Sequence, residues 1–223
     1  MNTIAFIFDL DGVIVDTTHY HFQAWKMLAD ELGIAFSEAD NERFKGVSRR
    51  RCLEILLEIG GTSMSETEFE LCLTRKNDKY LSYIETMNEK EILPGVPDVL
   101  DHLLERKVPM ALGSASKNAR AILEQVGLMS YFDAIVDGTQ VTAAKPDPEV
   151  FLQAANLLET ENQKCVVIED AQAGIEAANR AGMITIGIGE KEILGDADYV
   201  FKDFDEMGID LLNDLLAAAT KHN

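Results

Sequence analysis

The first apolar run of the chain is short and almost unbroken. Thr3, Ile4, Ala5, Phe6, Ile7 and Phe8 carry no charge before the chain meets Asp9-Leu10-Asp11-Gly12. A strand half-exposed to water would alternate, so this run predicts a strand buried on both faces of a parallel sheet. A single crossover helix normally follows such a strand. Here the spacing from about Tyr20 to Asn88 predicts helices only. Phe22, Trp25, Leu28, Ala29 and Leu32 share one face, and Gly33 stops that helix. A second, short helix is expected after Ser37. A third starts at Ser48, runs through Leu53, Leu56 and Leu57 and stops at Gly60-Gly61, and a fourth opens with Ser65-Glu66-Thr67-Glu68, which has capping-box spacing.

After Pro94-Gly95 helix and strand alternate. Strands are predicted at 110–112, 134–136, 166–168 and 184–188, with helical stretches around 99–104, 119–126, 150–158 and 175–181. Alternation of this kind implies an α/β fold with a doubly wound, Rossmann-like parallel sheet. The helical block then reads as a cap domain, residues 17–92, inserted after the first strand of a core made from residues 1–16 and 93–223. Such sheets bind ligands outside the carboxyl ends of their strands, which directs attention to the residues found there.

Composition narrows the partners. The 223 residues are 47% hydrophobic and 26% charged, ordinary for a chain with a sizeable core. Asp and Glu number 39 against 20 Lys and Arg, a formal charge of −19, which argues against nucleic acid or an anionic membrane as partner. Cys52, Cys72 and Cys165 are scattered and odd in number, with no C-x-x-C pair, the usage of a reducing cytoplasm rather than of a disulfide framework or zinc site. The first residues lack a basic region, Asp9 and Asp11 interrupt the apolar stretch, and no run approaches the ~18 apolar residues of a membrane span. A soluble, cytoplasmic monomer acting on a small molecule is the expectation.

The strand ends carry the chemistry. Asp9 and Asp11 leave the first strand two residues apart, with Gly12 permitting a sharp turn. One carboxylate of such a pair can attack phosphorus while the other handles a proton or a metal, although an Asp pair can equally cap the following helix. The second core strand ends in Gly113-Ser114-Ala115-Ser116-Lys117-Asn118. Ser114 there offers a hydroxyl near a helix start, a seat for phosphate or an ordinary helix cap. Lys145 precedes Pro146, which fixes the local backbone and can aim the ammonium as a point charge. Glu169-Asp170 follow the fourth strand; they are hard oxygen ligands of the kind Mg²⁺ prefers, or caps for the helix near Gln172. Singly each feature is modest. Together they set a nucleophile, an acid, a hydroxyl, a lysine and two further acids at the strand ends of one sheet.

Asp-Leu-Asp-Gly-Val, the Ser114 turn, Lys145-Pro146 and Glu169-Asp170, in that order along the chain, resemble the four motifs of the haloacid dehalogenase superfamily. The resemblance implies that Asp9 is the nucleophile and forms an aspartyl phosphate, and that Asp11 is the general acid and base. It also implies Mg²⁺ held by Asp9, the backbone carbonyl of Asp11, Glu169 and Asp170, with Ser114 and Lys145 on the transferring phosphoryl group. A second layer is similar to the β-phosphoglucomutase family: Asp16-Thr17-Thr18-His19-Tyr20-His21, Lys45-Gly46-Val47-Ser48-Arg49, Arg75-Lys76-Asn77-Asp78 and Ala115-Ser116-Lys117-Asn118. That likeness implies a phosphorylated sugar as substrate. Arg49, Ser116, Lys117 and Asn118 would then grip the phosphate that is not transferring. Thr17, His21, Gly46, Val47 and Ala115 would meet the sugar or support the hinge, and Lys76 would help align the cap. Lys45, Arg49, Lys76, Lys117 and Lys145 would supply an anionic substrate with local positive charge in an acidic chain. A sugar-phosphate phosphatase using the same Asp9 chemistry, or a mutase for a related phosphorylated sugar, is the alternative. Arg50 and Arg51 are expected to be solvated, and Trp25, Phe22 and Leu28 to be helix packing.

Overall fold

A computed structural model describes residues 4–44 and 47–220. The chain forms two compact units, Thr17–Met87 and the combination of Met1–Asp16 with Asn88–Asn223.

The smaller unit is helical: α1 (Thr18–Glu31), α2 (Glu38–Asn41), α3 (Arg49–Gly60) and α4 (Glu66–Ile84). Its helix starts follow from local side chains. Ser37 and Asp40 form a reciprocal capping box at α2, Ser48 accepts the Arg51 N–H at α3, and Ser65 with Glu68 forms the capping box of α4. Gly61, with φ of +59°, closes α3 in the left-handed conformation that favours glycine. The apolar faces meet in one core. There Trp25 is 2% exposed and stands edge-on to Phe44, with ring centroids 5.3 Å apart, while Phe36 stacks on Phe44 at 5.0 Å. An indole buried to this extent is worth about 4–6 kcal/mol by area alone.

The larger unit is built on six parallel strands: β1 (Ala5–Phe8), β2 (Met110–Gly113), β3 (Ala134–Val136), β4 (Cys165–Glu169), β5 (Ile184–Ile188) and β6 (Tyr199–Phe201), in the spatial order β3-β2-β1-β4-β5-β6. The helices of this unit are α5 (Val96–Glu105), α6 (Ala119–Gln125), α7 (Glu149–Leu157), α8 (Gln172–Arg180), α9 (Lys191–Leu194), α10 (Phe204–Met207) and α11 (Asp210–Thr220). Ala5 and Ile7 pack with α7 and α8 residues such as Phe151, Ala154, Ala177 and Ala178. Phe6 and Phe8 point to the opposite face by strand alternation, and all four β1 side chains are fully buried. Cover on both faces is why the run reads as unbroken. In register, Phe8 lies between Leu112 of β2 and Ile168 of β4. The strand order reverses direction between β1 and β4, so the crevice of a doubly wound sheet falls at their carboxyl ends.

Residues 88–92 cluster with this larger unit, so the boundary falls at Met87–Asn88 rather than at the expected 92–93. The reason is backbone pairing. Val15 bridges Ile92 in antiparallel fashion, Asp16 donates its N–H to Glu91 O at 3.1 Å, and Leu93 donates to Ile14 O at 3.0 Å.

Candidate active site

Asp9 is the first residue beyond β1, held by its own N–H to Ile168 O at 3.0 Å. Its carboxylate accepts the Lys145 ammonium at 2.5 Å, and the same Nζ stands 2.5 Å from Glu169 Oε1. Asp9, Lys145 and Glu169 are all buried. One oxygen from each of Asp9, Glu169 and Asp170 falls within 4.8 Å of the others. Three carboxylates thus crowd round one ammonium. Burial raises the Asp170 carboxyl to about 8, with the charges of Glu169 and Asp9 adding to it. Burial likewise pushes Glu169 up, outweighing the pull of Lys145. For Lys145 burial alone would act downward, but Asp9 and Glu169 overcome it and the ammonium titrates above its ordinary range.

The turn after β1 is shaped to admit these acids. Val13, Ile14 and Val15 all donate N–H groups to Leu10 O, and Gly12 donates to Val15 O at 2.8 Å. Gly12 has φ of +85°, and a Cβ there would lie 2.1 Å from Asp170 Oδ2. Gly174 on α8 does the same for the other acid, since its Cβ would stand 1.8 Å from Glu169 Oε1. The acids are therefore not acting as helix caps. The N-cap positions are Thr17 for α1 and Ala171 for α8, neither of which makes a side-chain cap hydrogen bond, while Glu169 Oε2 accepts the Ala171 N–H at 2.9 Å.

At the end of β2, Ser114 is buried and its hydroxyl accepts the Ser116 N–H at 3.1 Å; Ser116 Oγ in turn takes the Asn118 N–H at 3.3 Å. These bonds curl residues 114–118 into a compact loop ahead of α6, with Ala115 and Lys117 exposed and Ser116 and Asn118 half-buried. Ser114 is not the cap of α6, which begins after Asn118. A buried acid overlooked on sequence, Asp137, follows β3 and faces this loop's helix, accepting Arg120 Nε at 3.0 Å. A lone acid after a three-residue strand gave no motif to find it by.

Within the helical unit, Thr17 is buried and its carbonyl accepts the His21 N–H at 3.0 Å. His21 Nδ1 lies 2.9 Å from the buried Lys76 Nζ, and its ring stacks on Tyr80 at 4.1 Å. Lys76 also lies over the Trp25 and Tyr80 rings, at 4.9 and 4.7 Å. Burial, then Lys76, then Arg49 hold the imidazole well below its ordinary pKa, so His21 is neutral at pH 7 with Nδ1 as acceptor. Val47 donates its N–H to Phe44 O at 3.2 Å. Arg49 is half-buried, its pKa lowered by desolvation, and among the described residues no carboxylate pairs with it. Its neighbours differ. Arg50 holds Glu66 and Glu70, each at 2.7 Å, and Arg51 holds Glu54 and Glu58, each at 2.9 Å; both are exposed, yet ion-paired rather than merely solvated. Lys45 and Gly46 lie outside the described residues.

A family model described as haloacid dehalogenase-like hydrolase matches residues 5–182. The chain belongs to the haloacid dehalogenase-like hydrolase family. It is 40% identical to a β-phosphoglucomutase of Bacillus subtilis over 94% of both chains. To a phosphorylated carbohydrates phosphatase of Thermotoga maritima it is 34% identical, over 80% of this chain and 82% of that one. A crystal structure of a β-phosphoglucomutase from Clostridium difficile superposes with a TM-score of 0.91 at 38% identity, covering 97% of this chain and 98% of that chain.

In this haloacid dehalogenase-like site the donor set suits a hard divalent cation. The three converging groups are all carboxylates beside one ammonium, and a bound cation would favour the ionised forms of Asp170 and Glu169 that burial disfavours. Gly12 and Gly174 keep space for the Asp170 and Glu169 carboxylates that a side chain would fill.

Proposed function

We propose that this chain interconverts β-D-glucose 1-phosphate and glucose 6-phosphate, through an aspartyl phosphate on Asp9 and a β-glucose 1,6-bisphosphate intermediate. Arg49 carries this reading. It is a half-buried guanidinium with no carboxylate partner among the described residues, in a chain whose adjacent arginines each hold two glutamates. A phosphatase acting on one phosphate needs one seat, whereas a bisphosphate that must react at either end needs two, and a planar guanidinium suits the second. The similarity to two β-phosphoglucomutases over nearly the whole chain supports the same choice.

In this reading phosphorylated Asp9 gives its phosphoryl group to the sugar O6, and Asp11 takes the proton of that hydroxyl. The bisphosphate then reorients. Asp9 attacks the phosphorus on the C1 oxygen, that P–O bond breaks, and Asp11 returns the proton to the departing oxygen. Lys145 and Ser114 bind the transferring phosphoryl oxygens, while Arg49, Ser116, Lys117 and Asn118 are the groups proposed for the other phosphate. Thr17, His21, Val47, Lys76 and Ala115, with Lys45 and Gly46, are proposed for sugar contacts and their support. Mg²⁺, held by Asp9, Glu169, Asp170 and the Asp11 carbonyl, would offset charge on the transferring group. His21, kept neutral, contributes a hydrogen-bonding ring rather than a third cation.

A second reading, hydrolysis of a sugar phosphate, draws on the phosphatase relative of Thermotoga maritima. One experiment separates the two. β-Glucose 1-phosphate is supplied with Mg²⁺ and a trace of 1,6-bisphosphate, and glucose 6-phosphate and free phosphate are measured separately. The mutase gives the isomer with little phosphate, and Arg49→Lys reduces that turnover while sparing hydrolysis of acetyl phosphate. Stoichiometric phosphate without isomer establishes the hydrolase instead.

A further inference from the structure

We propose that Asp137, with Gly138 beside it, is a positioning residue that holds the 115–118 loop as a phosphate seat. The inference rests on the assignment of Ser116, Lys117 and Asn118 to the phosphate that is not transferring. Asp137 is 3% exposed at the end of β3, and both of its carboxylate oxygens are used. Oδ1 accepts the Thr139 N–H at 2.8 Å and the Thr139 hydroxyl at 2.5 Å; Oδ2 accepts Arg120 Nε at 3.0 Å. Arg120 sits in the first turn of α6, just after Asn118, and its Nη2 also donates to Ile135 O at 2.8 Å. One guanidinium therefore ties the start of α6 to both β3 and the turn beyond it.

The backbone repeats the tie. Gly138 donates its N–H to Ser116 O at 3.2 Å, and a Cβ on Gly138 would lie 2.2 Å from Ala115 O. The contact is with backbone rather than with a flexible side chain, so the 115–116 peptide has to move if residue 138 gains a methyl group. Asp137 N–H meanwhile donates to Gln140 Oε1 at 3.0 Å, which closes the turn on itself. A charged hydrogen bond on one side and backbone-to-backbone contact on the other fix the loop from two directions. Neither Asp137 nor Gly138 has to touch substrate. Their effect is on where Ser116, Lys117 and Asn118 stand, and small misplacements of binding groups are costly.

Two variants test this independently. Asp137→Asn keeps the acceptor for Thr139 but opposes the Arg120 N–H with an amide donor, and Gly138→Ala adds the methyl group. Each is expected to raise KM for β-glucose 1-phosphate about tenfold while changing kcat less than about threefold and KM for acetyl phosphate less than about twofold. Combining Asp137→Asn with Arg120→Gln restores an uncharged amide pair and should bring KM back toward wild type, a coupling that general loss of stability cannot produce. If Gly138→Ala does not fold, Asp137→Asn and its rescue decide the matter. KM values rising equally for both phosphates, no rescue, or an unmoved KM in a folded Asp137→Asn protein overturns the role. Failure of the mutase reading shows separately, as free phosphate from the wild type. An unmoved KM counts against Asp137 whichever product the wild type forms.

Discussion

Lys145 Nζ, 2.5 Å from both Asp9 and Glu169, is a single positive charge among three crowded acids, and this imbalance sets what substitution at Asp9 does. Asp9→Asn removes charge from the crowded side and leaves Lys145 its bond to Glu169. The fold should therefore persist, with a melting temperature in chelator-treated protein no lower than that of wild type. Turnover should fall at least about 10³-fold, because the amide is nearly isosteric but cannot attack phosphorus. Circular dichroism and product assay on one preparation check both halves, and substantial residual turnover removes Asp9 as nucleophile. The Asp-x-Asp pair and the paired acids were legible because each is a short motif at a strand end, and Lys145 because a proline follows it, although it lies well past β3 in the segment that leads into α7. Gly12 was legible as a turn. Its second duty, leaving room for the Asp170 carboxylate, was not, because that neighbour is remote in sequence. Asp137 and Gly138 were hidden for the same reason: the partner of the first is Arg120 and that of the second is the Ala115–Ser116 backbone, which only the fold brings near.

At the scale of elements, helix ends show what a sequence can mark. The helices α1, α6 and α8 each finish in the same closed turn, with Gly33, Gly127 and Gly182 at positive φ. Helices α5 and α7 finish identically, Val108 N–H reaching Leu103 O at 3.0 Å and Thr160 N–H reaching Ala155 O at 3.0 Å. There the left-handed residues are Lys107 at φ +55° and Glu159 at φ +50°, so nothing in the sequence flagged these ends as glycine-type stops. β6 went unseen because it has three residues and half-exposed side chains. Lys107→Gly and Glu159→Gly should each stabilise the larger unit by about 0.5–1 kcal/mol, since glycine carries no Cβ penalty there. Urea denaturation measures it, and unchanged or lower midpoints refute it. The α1–α4 contact gives a pH effect in the helical unit. Above the ordinary histidine pKa of 6.5, His21 is neutral in folded and unfolded chains alike and contributes no pH dependence. As pH falls below 6.5 the unfolded chain takes up a proton that the folded ring, held well below that value, refuses. Stability should then drop with falling pH, at a limit of about 1.4 kcal/mol per pH unit. Denaturation between pH 5 and 7.5 should show this slope in wild type and a shallower one in His21→Gln; equal slopes would assign the loss to other groups.

Over the whole molecule, charge outweighs pairing. The chain carries 39 acids and 20 Lys and Arg, for a net −19. Many of its cations are already engaged on the surface, Lys26 with Asp30, Arg180 with Glu176, and Arg50 and Arg51 with four glutamates. Exposed pairs of this kind contribute about 0.2–1 kcal/mol each and weaken as salt is added. Repulsion among the unpaired acids acts over longer distances. It is nearly unscreened when the Debye length is about 30 Å, at 10 mM salt, and largely screened when it is about 8 Å, near physiological ionic strength. The two terms move oppositely with salt, so the sign of the response reports which is larger. With nearly twice as many acids as bases, repulsion should win. The melting temperature at pH 7.5 is expected to rise by a few degrees between about 10 and 200 mM NaCl, since each kcal/mol corresponds to about 2–4 °C in a chain of this size. KCl should act alike, because screening depends on ionic strength rather than on the cation. A melting temperature that stays level or falls over this range would mean that the surface ion pairs, and not the net charge, dominate the electrostatics of the folded protein.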